Sequence, residues 1–268
     1  MQCLRMEFGL KINKGMISEV FLGDCMDYMA QFPDKFFELA IVDPPYGINA
    51  PNMQMGQNLT RNNGHKQSQS TAVKNRLQRL NGGGGKLKNR ILNTSKIEWD
   101  NKRPTQVYFD ELIRVSQNQI IWGGNYFDLP PTRGFIVWNK NQPWENFSQA
   151  EFAWTSFDCP SKVFTYSNRG GSNEETKIHP TQKDVCLYKY CLDRMDKPND
   201  KILDTHLGSQ SSRIAAYDLG FDFYGSELDE DYFKSGCDRF EKHKLIKEEI
   251  KEKGFASTEL SKNNPILF

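Results

Sequence analysis

No apolar run in this 268-residue chain approaches the ~20 residues that a membrane span needs, and the amino terminus has no signal-peptide layout. The expectation is a soluble, cytoplasmic protein with no membrane partner. Cysteine is scarce and unpatterned: Cys3, Cys25, Cys159, Cys186, Cys191 and Cys237 form no CxxC pair and no zinc spacing. They read as reduced thiols. The 4 histidines are scattered and add no metal site. An excess of one charge is missing too, because the formal net charge is only +1 and names no partner. The GxGxxG turn of dinucleotide enzymes is absent. A mean hydropathy of −0.69 with 37% hydrophobic residues is low for a wholly compact fold, so polar exposed segments should accompany a real core.

What is present is a strand-helix rhythm. "EVFLGDC" (19–25) reads as a short strand, "MDYMAQFP" (26–33) as a helix stopped by Pro33, and "FFELAIVDPPY" (36–46) as the next strand. The rhythm resumes with a helix in "FDELIRVSQ" (109–117) and a strand in "NQIIWGGNYF" (118–127). "GFIVWNK" (134–140) and "EFAWTSF" (151–157) follow, and "CLYKYCLDRM" (186–195) is helical in period. "DKILDTHLGSQ" (200–210) is strand and glycine turn, "SSRIAAYDLG" (211–220) helix, and "DFYGSELDEDYF" (222–233) strand. A charged helix from about Tyr232 to Lys253 ends at Gly254, and 254–268 form a tail. Such alternation argues an α/β fold: a doubly wound, mostly parallel sheet in a single domain spanning 1–268.

Residues 50–98 break that rhythm. They carry Arg61, Lys66, Lys74, Arg76, Arg79, Lys86, Lys88, Arg90 and Lys96, with no acid before Glu98, among many Asn, Gln and Ser and a "GGGG" at 82–85. The segment cannot bury much apolar surface. Its charge suits a footprint for nucleic-acid phosphates; a solvated linker is the plainer alternative.

Two strand ends hold the chemistry. The buried run ending at Val42 delivers Asp43, Pro44, Pro45 and Tyr46, and the prolines must turn the chain outward there. The strand in 201–204 ends in Asp204 and a turn through His206, Gly208, Ser209 and Gln210 before a helix, an arrangement suited to a nucleotide-type ligand. Glu227 ends the following strand, where doubly wound folds place an acid that binds a ribose diol. Taken by themselves, Asp204 could be a helix-capping acid, Glu227 a surface carboxylate and DPPY a proline-rich turn.

Taken together, "GDC" (23–25), "DPPYG" (43–47), "IIWGGNYF" (120–127), "HPTQK" (179–183) and "LDTHLGS" (203–209) resemble the S-adenosylmethionine-dependent DNA methyltransferases that modify exocyclic amino groups, specifically the N6-adenine kind. The resemblance spans most of the chain outside 50–98, about 155–178 and the tail. With the catalytic strand ahead of the cofactor turn, it implies a Rossmann-like fold in the permuted, β-type motif order. It implies that Asp24, Cys25, Asp43, Lys183, Asp204, His206, Gly208, Ser209, Gln210 and Glu227 surround S-adenosylmethionine. Asp24 would accept from the adenine amino group, and Lys183 would lie near the methionine carboxylate. Asp43 and the Pro44 carbonyl would accept the two hydrogens of the target amino group, localising its lone pair for attack. Tyr46 would stack on the flipped base. DNA is the implied partner, and related enzymes often form homodimers.

The chain departs from the family in two places. Gln210 stands where a second glycine is usual, so the turn must widen or Gln210 must point away. Asp184 follows HPTQK where Pro is usual, and Thr181 or Asp184 would cap the next helix. Residues 155–178, with the loop-like "YSNRGGSNEETK" (166–177), offer a target-recognition segment in which Arg169 would read a groove. The ending "NNPILF" resembles peptides that bind sliding clamps but lacks their leading Gln; a frayed tail is the competing reading. N4-cytosine methylation shares the same clamp, although Asp43 as its first residue favours adenine. A catalytically dead DNA-binding module, suggested by Gln210, is the reading from another class.

Overall fold

Five of the six residues in Phe37–Val42 are buried, which is how a strand reads when both faces of a parallel sheet are covered. In the computed structural model, which describes residues 15–48, 100–141, 148–167, 178–179, 181–193 and 199–253, this strand is β2, inside an eight-stranded sheet. The others are β1 (Ser18–Leu22), β3 (Ser116–Trp122), β4 (Phe135–Asn139), β5 (Ala150–Thr155), β6 (Lys162–Thr165), β7 (Lys201–Asp204) and β8 (Asp222–Glu227). The order is β1-β8-β7-β2-β3-β5-β4-β6. Every adjacent pair is parallel except those that β5 makes with β3 and β4.

Alternation along β2 sends Leu39 and Ile41 to one face and Ala40 and Val42 to the other. The first face packs on α3 (Val185–Leu192), α4 (Ser211–Leu219) and Phe240 of α5 (Glu230–Lys253). The second packs on α1 (Cys25–Met29) and α2 (Gln106–Val115), through Tyr28, Met29, Phe109 and Leu112. Helices on both faces make the sheet doubly wound, as the alternation implied.

The elements differ from expectation at their edges. The helix expected to reach Pro33 ends at Met29, because a tightened turn through Ala30 and Gln31 brings the chain out before the proline. The segment 155–178 contains a strand: β6 lines up parallel to β4 at the sheet edge, with Val163 exposed. Arg169, the whole 50–98 insertion with its basic residues Arg61, Lys66, Lys74, Arg76, Arg79, Lys86, Lys88 and Arg90, and the 254–268 tail lie outside the described residues. No helix among the described residues is long and apolar enough to cross a membrane.

Candidate active site

Four neighbouring parallel strands, β1, β8, β7 and β2, reach one edge of the sheet together. In that order their carboxyl ends carry Asp24, Glu227, Asp204 and Asp43. The register sets Leu22 opposite Glu227 and Asp204 opposite Gly225, so the acids line a single crevice, the usual ligand position in an open α/β sheet.

At the β2 end, Asp43 Oδ1 accepts from the Tyr46 hydroxyl at 2.6 Å, and Oδ2 accepts from Lys183 Nζ at 2.5 Å. Burial first, and then the Asp43 charge, hold the Tyr46 phenol well above its ordinary pKa, so it stays a donor. One face of the Tyr46 ring lies on Tyr126, with centroids 4.9 Å apart and planes 15° from parallel. Gly123, at φ 71°, approaches the same ring so closely that a Cβ would lie 2.1 Å from Tyr46 Cε1; only glycine fits there. Arg103 donates to the carbonyls of both Tyr46 and Tyr126, and the Gly47 N–H donates to Asp100, which fixes the loop after the prolines.

Lys183 is the hub of a buried charge row. Its Nζ is 3.2 Å from Glu151 Oε2, an ion-pair distance without hydrogen-bond alignment, and Lys140 Nζ is 2.5 Å from Glu151 Oε1. Burial pulls the Lys183 ammonium down, but Asp43 and Glu151 outweigh it and hold its pKa above the usual value. Burial likewise opposes ionisation of Glu151, and Lys183 and Lys140 outweigh it. The resemblance places Lys183, through HPTQK, near a methionine carboxylate; in the structure its ammonium meets Asp43 and Glu151. Tyr126 lies in the quoted IIWGGNYF segment, but Glu151 and Lys140 carried no motif that would have marked them.

On the other side of the crevice, Glu227 Oε2 accepts from Gly208 N–H at 2.7 Å and Oε1 from Asp229 N–H at 3.0 Å. Asp204 does not cap α4. Its oxygens accept from the His206 N–H and the Ser212 hydroxyl, while Gln210 holds the cap position. Burial raises Asp204 to about 7, against the Ser212 hydrogen bond, and also raises Glu227. Burial lowers His206 to about 4, leaving a neutral ring whose Nδ1 meets the Thr205 hydroxyl, itself 2.6 Å from Tyr108 OH. Asp24 accepts from Met26 N–H and caps α1, and Cys25 opens that helix with a thiol pushed up to about 12 by burial and Asp24. Ser209 Oγ meets Ser211 Oγ at 3.1 Å, and the Ser209 carbonyl accepts from Arg239.

Both departures from the family pattern have a local explanation. Gln210 adopts φ 58°, the left-handed conformation that explains glycine elsewhere, and turns its side chain toward α5, where Nε2 donates to the Phe233 carbonyl. It points away from the crevice. Asp184 caps α3 by accepting from Cys186 N–H, while the Thr181 hydroxyl pairs with His179. His179 packs edge-on against Tyr232 beside Gly208 and is lowered to about 4 by burial and then by Lys183.

Among the described residues no lysine or arginine pairs with Asp204 or Glu227. A crevice of acids with a glycine turn and no such counter-cation suits a cationic ligand with hydroxyl donors.

The model of a family described as DNA methylase matches residues 86–237. The Type II methyltransferase M.HinfI of Haemophilus influenzae is 25% identical over 262 residues, covering 81% of this chain; the chain spans only 66% of that protein's length. YubD of Escherichia coli (strain K12) is 24% identical over 234 residues, covering 83% of this chain and 90% of that protein. The crystal structure of the M1.HpyAVI–SAM complex is 19% identical with a TM-score of 0.46, covering 82% of this chain and 98% of that one.

Proposed function

The chain belongs to the DNA methylase family, and from that premise we propose that it transfers the methyl group of S-adenosylmethionine to N6 of a flipped-out adenine in DNA. The observation that carries this reading is the Asp43–Tyr46 corner: a carboxylate at the end of a central strand, held by a tyrosine hydroxyl and followed by two prolines.

S-adenosylmethionine, whose reactive methyl sits on a cationic sulfur, suits the acid-lined crevice. Glu227 would accept from its ribose hydroxyls, Asp24 from its adenine amino group, and Asp204 would face its positive charge. Gly208 and Ser209 leave room for a close backbone approach.

Asp43 and the Pro44 carbonyl would each take one amino hydrogen of the target base. Two acceptors localise a lone pair that is otherwise delocalised into the ring, and they stabilise the positive charge that develops on nitrogen. No base is needed beforehand, since the product can lose its proton afterwards. Two acceptors also disfavour a keto oxygen, which discriminates against guanine O6 and thymine O4. Tyr46 would stack on the extruded base, which requires Tyr126 to yield the covered face or the base to use the other. The basic 50–98 insertion would grip phosphates through residues such as Arg76, Arg79, Lys86 and Lys88. The clamp ahead of the Gly208 turn supports the permuted motif order.

Labelled S-adenosylmethionine, unmethylated DNA and nucleoside analysis test the reading together. Label in N6-methyladenine is expected. Label in N4-methylcytosine would keep the clamp and overturn the base, and no label on any DNA would sink the reading.

A further inference from the structure

Lys183 carries one positive charge and faces two acids. Its ammonium lies 2.5 Å from Asp43 and 3.2 Å from Glu151, with the side chain 4% exposed. Glu151 in turn holds Lys140, which follows β4. The row therefore alternates in sign: Asp43, Lys183, Glu151, Lys140. It runs from the end of β2 to the antiparallel β4–β5 pair; Asp43 and Lys183 belong to the motifs that mark the site, and Glu151 and Lys140 do not.

A buried ammonium bonded to a carboxylate alone is a closed pair. The carboxylate spends its acceptor strength on the cation and has less to offer a neutral amino group. An acceptor that must bind a base amine has to be ionised without being neutralised. Glu151 supplies that condition, because it sits on the other side of the same ammonium and draws part of its charge. Glu151 Oε2 has no well-aligned hydrogen-bond donor, so its pull on Lys183 is chiefly that of its charge. Buried ion pairs of this kind add little to stability compared with apolar packing, which directs attention to what the row does for Asp43.

We propose that Glu151 is a positioning residue for methyl transfer: acting through Lys183, it keeps the Asp43 carboxylate aimed and strong as the acceptor of the target amino group. The proposal rests on the function given above and deepens it. Neither Glu151 nor Lys183 touches the base; both act through Asp43.

The test uses the full chain and the variants Glu151→Gln, Glu151→Asp and Lys183→Met. Thermal melting, calorimetric S-adenosylmethionine affinity, and kcat and KM for DNA are measured on each. Glu151→Gln is expected to melt below the unsubstituted protein, because it leaves Lys183 and Lys140 short of a partner, but to bind cofactor normally and keep its KM for DNA, while kcat falls roughly tenfold. Glu151→Asp, which keeps the charge, should recover much of that loss. Lys183→Met should lose about 100-fold in kcat, with cofactor affinity unchanged, because Asp43 loses its anchor. A fall in cofactor affinity matching the rate loss in Lys183→Met would make Lys183 a cofactor ligand and overturn the proposal. A Glu151→Gln chain with unaltered kcat overturns it even if Lys183→Met fails to fold. A Glu151→Gln chain in which KM for DNA and cofactor affinity worsen in step with kcat overturns it too, because Glu151 would then serve the fold and not Asp43. If the unsubstituted protein methylates no DNA, the functional reading fails; an active protein with unaffected variants removes only the role of Glu151.

Discussion

Gln210 occupies the space in front of Gly236: a Cβ added at Gly236 would lie 2.7 Å from Gln210 Cγ and 2.8 Å from its Nε2. An alanine inside a helix is normally favoured over glycine by about 1 kcal/mol. Here the methyl would evict a side chain that bonds the Phe233 carbonyl and accepts from Arg213 at 2.9 Å. Gly236→Ala should therefore destabilise the protein by about 1–3 kcal/mol and loosen the glycine turn. Adding Gln210→Gly removes the clash and suits the left-handed φ, so the double variant should be more stable than Gly236→Ala alone. Denaturant melts of the four members of this cycle check it; additive losses would show that the two residues do not compete for space.

Tyr46→Phe keeps the ring and its stack on Tyr126 but removes the hydroxyl that donates to Asp43. A hydrogen bond to a charged acceptor contributes about 1.5 kcal/mol, so kcat should fall roughly tenfold. The KM for DNA should not change, since the stacking surface remains. Steady-state transfer kinetics measure both, and an unchanged kcat would separate the hydroxyl from the clamp.

β2 was legible in the sequence because a buried parallel strand is nearly all apolar, and two prolines after an acid leave few alternatives to a strand end. Asp204 and Glu227 were legible because strand, turn and helix follow each other locally. Glu151 was not. "AEFAWT" reads as an ordinary alternating strand; the antiparallel register of β5 beside β4 sets its carboxylate next to Lys140, and only the tertiary fold brings Lys183 to it. Lys183 and Asp43 are separated by 140 positions, so the motif could mark the lysine without showing where it ends. The short β6 was missed for a simpler reason: its residues are mostly exposed, and an edge strand of that kind has no hydrophobic pattern to read.

A second buried acid lies away from the crevice. Asp218 on α4 meets Lys189 of α3 at 2.6 Å and His243 and Lys247 of α5 at 2.8 and 3.3 Å. Burial opposes its charge, but the His243 hydrogen bond and the two lysines outweigh burial and hold its carboxyl well below the ordinary range. A depressed carboxylate adds stability that is present above its unfolded pKa and is lost as pH falls toward the folded value. That loss should begin below about pH 4. Asp218→Asn should cost about 3–5 kcal/mol at neutral pH and flatten the acid limb of stability. Urea melts across pH decide it; an acid limb of full steepness in the variant would assign that limb to other carboxylates.

Asp204 works in the opposite sense. Burial raises its carboxyl to about 7, with Asp43 and Glu227 adding to the effect against the Ser212 hydrogen bond. In the cofactor-free protein, the stability this gives is fully present below the unfolded value of about 4 and is lost as pH rises from there to about 7. A cation beside Asp204 favours the ionised form, so at pH 6 cofactor binding must expel a proton, and at pH 8 it need not. Affinity for S-adenosylmethionine should therefore tighten by up to roughly tenfold between pH 6 and pH 8. S-adenosylhomocysteine, which lacks the sulfonium charge, should show a shallower slope. In Asp204→Asn the slope should vanish along with part of the affinity. Calorimetry at several pH values follows both ligands. A slope that survives the substitution would belong to Glu227, whose carboxyl burial also raises, and would move the cationic centre of the cofactor to the β8 side of the crevice.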